Sequence, residues 1–459
     1  MSTQPIEAVL IGAGSRGRHC FGEIALKHPH DLKFVAVAEP DEERRNVFGD
    51  AHRIPKNRRF KSYQDLFAKG LLAPACVNTT MDRMHFETAI AAFAVGYHLL
   101  LEKPMAVDPV HCMKIVDASR RAGKFLQICH TMRYAPYTQE LRRLVASGVL
   151  GEMLHVQHCE HVAYWHMAHS FVRGNWGNEG RSAPMLLAKS CHDLDFIVWM
   201  IGRKAKKIVS FGRLSDFNAS RVGPEIPERC TDGCPVEATC PYSAIKTYLQ
   251  PHSHSWVNAG VSIDPSYEAR KKSIETGPYG RCVYRCDNDV VDHQVVAMEF
   301  EGGLTCEFTM QGHAFEGTRA SRITGTEASI RTLGASNEIV LEHIASGRRE
   351  TITPGAGVGG HGGGDTGIVR AFVAAVRDGD TSLIVSTGEQ SLESHLIAYA
   401  AEKSRKQGVM VDMDEYRREV ERAAGLTLPA PVGGDGAGDG ASAKRSSNRK
   451  RAGSAAAAR

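Results

Sequence analysis

Several short stretches concentrate the side chains able to do chemistry. The segment MLLAKSCHDLD, residues 185–195, opens as an apolar run and then places Lys189, Cys191, His192, Asp193 and Asp195 within seven positions. Lysine and histidine exchange protons near neutrality once burial or neighbouring charge has moved their pKa values, so His192 and Lys189 are candidate acid/base groups. Lys189 can instead stay charged, binding an anion or pairing with Asp193 or Asp195. The stretch YWHMAHSFVRGNWGNEG, residues 164–180, reads as a loop that gathers His166, His169, Ser170, Arg173, Asn175, Trp165 and Trp176. Aromatic faces with fixed polar groups bind sugars, and an arginine fork clamps a carboxylate, sulfonate or phosphate. The same residues could equally hold a surface loop together through internal hydrogen bonds.

These groups need elements to position them. In EAVLIGAGSRGRHCFGEIAL an apolar strand runs into Gly12, Gly14 and Gly17 at the mouth of a helix. In that setting the first glycine permits a tight turn, the second lets a pyrophosphate approach the backbone, and the third lets helix and strand pack closely. A second strand, KFVAVAEP, ends in Glu39, where a carboxylate accepts hydrogen bonds from ribose hydroxyls and repels a 2'-phosphate. NAD is therefore favoured over NADP, with Arg16, Arg44 and Arg45 able to reverse that choice. Strands and helices continue to alternate through KFLQICH, which specifies a doubly wound parallel sheet. Its crevice lies at the carboxyl ends of the strands, where Thr79, Thr80, Glu102, Lys103 and His130 project. The cofactor set is Gly12, Gly14, Ser15, Arg16, Gly17, Glu39, Thr79, Thr80, His85, Glu102 and Lys103.

After Leu150 the pattern changes. KKIVSFG, HQVVAMEFE, LTCEFTMQG, ASIRTL and EIVLEH read as strands separated by turn signals, an α+β layout with its own sheet, and later helical segments return to pack on the body. CHDLDFIVWMIG reads as a helix with an apolar stripe of Leu194, Ile197, Val198 and Ile201, and His192 at its start. The glycine-rich GAGVGGHGGGDTG, residues 355–367, is either a connector or a loop that closes over the substrate through His361.

A strand ending in Glu102-Lys103-Pro104 after a Rossmann half, followed by RYAPYTQELRRLVASGVLGEM, resembles the Gfo/Idh/MocA family of sugar-active, nicotinamide-dependent oxidoreductases. The resemblance implies an α/β Rossmann domain followed by an α+β domain whose open, mostly antiparallel sheet covers the nicotinamide. It places Lys103 near the reacting carbon and Pro104 at a bond that is commonly cis. The family usually carries Asp-x-x-x-His where this chain has Ala188 and His192, with Lys189 one residue after the missing aspartate. Lys103, His192 and Lys189 are then the catalytic candidates, and Tyr134, His166, Arg173, Asn175, Trp176 and Lys189 the substrate-binding ones. HSFVRGNW, AKSCHD and the Cys-Pro segment look like the branch of NAD-dependent glycosidases, sulfoquinovosidases included. That branch oxidises a ring hydroxyl transiently, and the Lys, Arg and His content around the pocket expected here would suit an anionic sugar. A net sugar or polyol dehydrogenase and a non-catalytic NAD sensor are the alternatives.

RCTDGCPVEATCPY and GRCVYRCDND place Cys230, Cys234, Cys240, Cys282 and Cys286 in an insertion at about 220–290, beyond what that family pattern requires. Cys230, Cys234, Cys240 and Cys286 are candidate metal ligands, though their spacing fits thiols packing a loop as well. The domains read as 1–128 for the dinucleotide, 129–426 for substrate and self-association as a dimer or tetramer, and 427–459 as a disordered basic tail. The net charge of +4 resides entirely in that tail, which has six basic residues and two acidic ones after Val432, so the body carries no nucleic-acid signature. No membrane-length apolar run and no signal peptide is visible, which suggests a cytoplasmic protein with reduced thiols and a small-molecule sugar or glycoside as its partner.

Overall fold

The computed structural model describes residues 4–427, apart from 251–254, 334–335 and 358. The tail expected at 427–459 lies, from residue 428 onward, outside the described residues. Strands β1 (Ile6–Ile11), β2 (Leu32–Ala38), β3 (Arg59–Phe60), β4 (Ala75–Asn78), β5 (His98–Leu101) and β6 (Leu126–Ile128) form a parallel sheet in the order 3-2-1-4-5-6. Their near-continuous apolar runs are what a sheet covered on both faces demands. All four residues of β4 are buried, and β1 is buried everywhere but Glu7.

The second sheet is built differently. Strands β7 (Met153–Ala163), β8 (Ala205–Arg213), β9 (His293–Phe300), β10 (Thr305–Ala314), β11 (Thr318–Gly325), β12 (Ala328–Leu333), β13 (Glu338–His343), β14 (Arg349–Ile352) and β15 (Val411–Asp412) lie in the order 14-13-12-11-7-10-9-8-15. All neighbouring pairs are antiparallel except β7 with β10. In β9 every second residue is buried, the alternation of a sheet with one covered and one open face.

Two departures from the linear reading bear on the site. The Gly364–Asp378 helix, late in the chain, returns to the first domain, where Ile368, Val369, Phe372 and Val373 share a core with Ile6, Leu10 and Phe34. Of the stretch read as a loop at 164–180, residues 164–173 are helical, with wide π-type turns over Met167–Arg173, all seven of which are buried. Between β8 and β9 the cysteine-bearing insertion forms a small core of Cys230, Ala244, Tyr248, Val257 and Ile274.

Candidate active site

The turn after β1 is shaped for a dinucleotide. Gly12 has φ +89°, and a Cβ there would lie 2.7 Å from the Thr79 carbonyl oxygen. A Cβ on Gly17 would lie 2.3 Å from the Gly12 carbonyl oxygen, whereas one on Gly14 would meet nothing within 4 Å. Two glycines thus serve packing, and the third leaves room where a pyrophosphate approaches the backbone. Ser15 is exposed at the rim. Glu39 closes β2 with Oε2 accepting from Ala13 N at 2.7 Å and Oε1 from Asp41 N at 3.1 Å. Arg45 spends its guanidinium on the Glu39 and Pro40 carbonyls and Arg16 is bound elsewhere, so neither is free for a 2'-phosphate. Thr79 donates to the Gly12 carbonyl and Thr80 to Asn78 Oδ1, which fixes the crevice rim. His85, expected to touch the cofactor, is fully buried. Its Nδ1 lies 2.7 Å from Pro104 O and its Nε2 3.0 Å from Thr80 O, so it positions the Lys103-Pro104 turn, whose peptide is cis.

Arg16 joins the two domains. Its Nε donates to Glu102 Oε1 at 2.6 Å and its Nη2 to Asp365 Oδ1 at 2.9 Å, while Glu102 Oε2 accepts from Lys103 N. Burial pushes the Asp365 carboxyl up, but His361 and Arg16 outweigh it and hold the group well below the usual carboxylate range. His361 adopts φ 51° on the glycine-rich loop, with Nδ1 3.0 Å from Asp365 Oδ2 and its ring centroid 5.7 Å from that of His192.

Lys103 reaches across to the second domain, where Nζ donates to the Ala188 carbonyl at 2.7 Å. The site of the missing aspartate therefore still offers an acceptor, from the backbone. His192 is buried at the start of the Cys191–Ile201 helix; burial first, then the Lys103 charge, drives its pKa well below the usual histidine range. The imidazole is neutral, and its Nδ1 has no protein partner.

Lys189 is paired with neither Asp193 nor Asp195. Its Nζ lies 3.0 Å from Glu160 Oε1 on β7. Glu160 Oε2 faces Arg319 Nε at 2.7 Å, Arg319 Nε lies 2.6 Å from Asp193 Oδ1, and Asp193 Oδ1 lies 3.1 Å from His158 Nε2. The charges alternate in a row whose carboxylates are buried and whose Lys189 and Arg319 are partly buried, which lowers the cost of desolvating each. Asp195 is taken by Arg133, with bonds of 2.6 and 2.8 Å. Glu160 and Arg319 were not found from sequence. The available signal was β7 itself, whose buried alternate positions read Val156, His158, Glu160 and Val162, with two polar residues facing inward.

The substrate-binding candidates divide. His166 lies among the site's charges: burial, then Lys189, His169, Arg319 and Lys103, drive its pKa well below the usual range. Arg173 is no clamp. It is 3% exposed, donating from Nε to Arg281 O and from Nη2 to Tyr242 O, each at 2.6 Å, so it ties the insertion to the active-site segment. Tyr134 is likewise consumed, its hydroxyl held by Gln127 Nε2, Val385 N and Ser386 Oγ. Trp176 Nε1 donates to Asp82 Oδ2 at 3.0 Å and exposed Asn175 lies beside Met81, so both bridge to the first domain.

Cys230, Cys234, Cys240 and Cys282 line one cavity with Arg173, whose Nη2 is 3.6 Å from Cys230 Sγ. The lining of this cavity includes neither Lys103 nor His192. Cys286, the remaining metal candidate, donates to the Cys282 carbonyl, and burial pushes its thiol up to about 11. Among the described residues no three His, Cys, Asp or Glu side chains are arranged to hold a metal ion.

Sequence comparison matches residues 6–130 to the family described as oxidoreductase, NAD-binding Rossmann fold, and residues 142–413 to the C-terminal alpha/beta domain of the same family. The chain belongs to the Gfo/Idh/MocA oxidoreductase family. The D-glucoside 3-dehydrogenase of Escherichia coli (strain K12) is 28% identical over 220 residues, covering 46% of this chain and 58% of that protein. Among solved structures, an inositol dehydrogenase homolog from Azotobacter vinelandii complexed with NADH and myo-inositol superimposes with a TM-score of 0.63 at 16% identity, covering 89% of this chain and 98% of that one. The aldose-aldose oxidoreductase of Caulobacter crescentus complexed with glycerol gives 0.63 at 14% identity, covering 89% and 100%. At these identities the superpositions speak for the fold, and the family match makes NAD the cofactor. No helix among the described residues is long and apolar enough to cross a membrane.

Proposed function

We propose that this family member hydrolyses a glycoside through transient, redox-neutral oxidation of a ring hydroxyl. The observation that carries the reading is the His361–Asp365 pair beside His192. A net dehydrogenase needs one group to take the hydroxyl proton, and Lys103 with His192 already supplies it. Bound over Gly14 and Glu39, NAD would supply the acceptance and return of a hydride at a carbinol carbon.

Lys103 and the neutral His192 then hold the hydroxyl proton. Once that carbon is a carbonyl, the adjacent C–H is acidic, so elimination needs a base at that C–H and an acid at the departing oxygen. Hydrolysis is completed when water adds to the resulting double bond and the carbonyl is reduced again. His361 fits this second role, because Asp365 fixes its Nδ1 as the protonated nitrogen and leaves Nε2 to exchange the proton. The cationic features behind the expectation of an anionic substrate, sulfoquinovose included, are committed elsewhere, Arg173 to carbonyls and Lys189 to Glu160. No anionic group on the sugar is therefore required.

The second reading, net oxidation of a glycoside, is favoured by the name of the E. coli relative. Incubating the protein with NAD and a panel of neutral, uronate and sulfonated aryl glycosides, while following aglycone release and NADH absorbance together, separates the two. Aglycone without net NADH supports hydrolysis, and NADH without aglycone supports the dehydrogenase. Tight NAD binding with neither signal refutes both and leaves a sensor.

A further inference from the structure

The cysteine-bearing insertion has no part in the proton chemistry, yet it borders the site. Its Ser255–Val261 helix seats Val257 fully buried in the insertion's small core. One turn later, Gly260 lets the helix approach the active-site segment, since a Cβ there would lie 3.2 Å from His169 Nε2. His169 is itself fixed, stacked on Tyr279 at 4.6 Å and bonded to the Tyr248 hydroxyl. Anchored in this way, the helix holds Trp256 with 44% of its surface exposed. The indole meets His166 edge-on at 4.9 Å and lies 5.8 Å from Trp165. His166 is the same ring that lies within the field of Lys189 and Lys103. An aromatic strip of His166, Trp165 and Trp256 thus runs from the segment after β7 out to solvent.

We propose that Trp256, carried by the insertion, and Trp165, on the segment after β7, form a stacking platform for the leaving group of the substrate, a six-membered ring with an apolar face that is either an aryl group or a second pyranose. This rests on the glycoside reading above. A half-exposed indole continuous with the catalytic groups presents apolar area to whatever lies one ring beyond the reacting sugar. The arrangement also accounts for Arg173: by binding Arg281 O and Tyr242 O it sets the insertion's distance from the site.

The test uses the full-length, NAD-loaded protein and its Trp256→Ala and Trp256→Phe variants. With methyl, 4-nitrophenyl and disaccharide glycosides of one sugar, Trp256→Ala should lose about tenfold in kcat/KM on the two ring-bearing substrates and less than about twofold on the methyl glycoside. Trp256→Phe should restore most of the loss. A loss on the aryl substrate alone identifies an aryl group as occupant, and a loss on the disaccharide alone identifies a sugar. An equal effect on all three substrates, or none, overturns the platform. Fluorescence titration with 4-nitrophenyl glycoside reads the platform separately from turnover. Weaker binding by Trp256→Ala supports it even where no glycoside is hydrolysed, and unchanged affinity sinks it even where hydrolysis is confirmed.

Discussion

Replacing Arg173 separates two roles that the sequence alone leaves open. The guanidinium is 3% exposed and makes two 2.6 Å bonds, to Arg281 O and Tyr242 O, with the Tyr248 phenol and the thiols of Cys230, Cys286 and Cys282 as its titratable surroundings. In Arg173→Ala both carbonyls lose a charged donor inside a dry seam, at roughly 1.5–3 kcal/mol each, or about 3–6 kcal/mol together. Removing a desolvated cation that has no carboxylate partner among the described residues returns part of that, leaving a net loss of about 2–4 kcal/mol. For a domain of this size that lowers the melting temperature by roughly 5–15 °C. Arg173→Lys should recover little, because one ammonium cannot span both carbonyls in the fork geometry. Thermal melts followed by circular dichroism, run beside glycoside assays with neutral and anionic sugars, decide the matter. A variant that melts within about one degree of the parent and loses affinity only for anionic glycosides would refute the structural role and restore Arg173 as a clamp.

Gly14→Ala should fold and melt like the parent while weakening NAD binding about tenfold or more, since its Cβ enters open space that the pyrophosphate needs; Gly17→Ala should instead lower the melting temperature, its Cβ lying 2.3 Å from Gly12 O. Calorimetric NAD titration and thermal melts check the pair, and the reverse pattern would discard the assignment. His361→Ala and Asp365→Asn should each cut aglycone release by about 10²–10⁴-fold while leaving single-turnover NADH formation within a few-fold. Equal loss of both signals would place His361 in the oxidation step. Burial holds His130, His169, His192 and His395 below the usual histidine pKa, His169 at about 3. Their unfolded forms bind protons below about pH 6.5 while the folded rings stay neutral, so stability is complete above that pH. It falls on acidification by up to about 1.4 kcal/mol per pH unit for each ring. Urea midpoints measured from pH 7 to 5 should drop steadily, and a flat profile would mean that the rings are protonated in the folded state.

The parallel sheet was legible because its strands carry the apolar runs and glycine spacing that a two-sided sheet and a phosphate turn require. Lys103 and His192 could be singled out as candidates because a strand end and a helix start are each readable locally; the fold sets Lys103 Nζ on the carbonyl of Ala188, four positions before His192. What escaped detection depended on partners distant in the chain. Glu160 meets Lys189 from a strand 29 positions earlier, and Asp365 meets Arg16 across 349 positions. Neither pairing leaves a periodic trace in the sequence.

Residue type fixes what a side chain is able to do, so the chain by itself determined the Rossmann turn, the NAD preference of Glu39 and the presence of lysine and histidine at the crevice. Which of those abilities is used depends on what lies within about 3 Å, and that is a tertiary property. Arg173 reads as an anion clamp until its donors are seen committed to two carbonyls. Lys189 reads as an acid/base group, an anion binder or a partner of Asp193 or Asp195 until Glu160 is found beside it. His361 reads as part of a connector or of a loop closing over the substrate, and only the fold brings it against Asp365 and His192. A charge or a hydrogen bond is satisfied in space, and the chain records only the groups that await a partner.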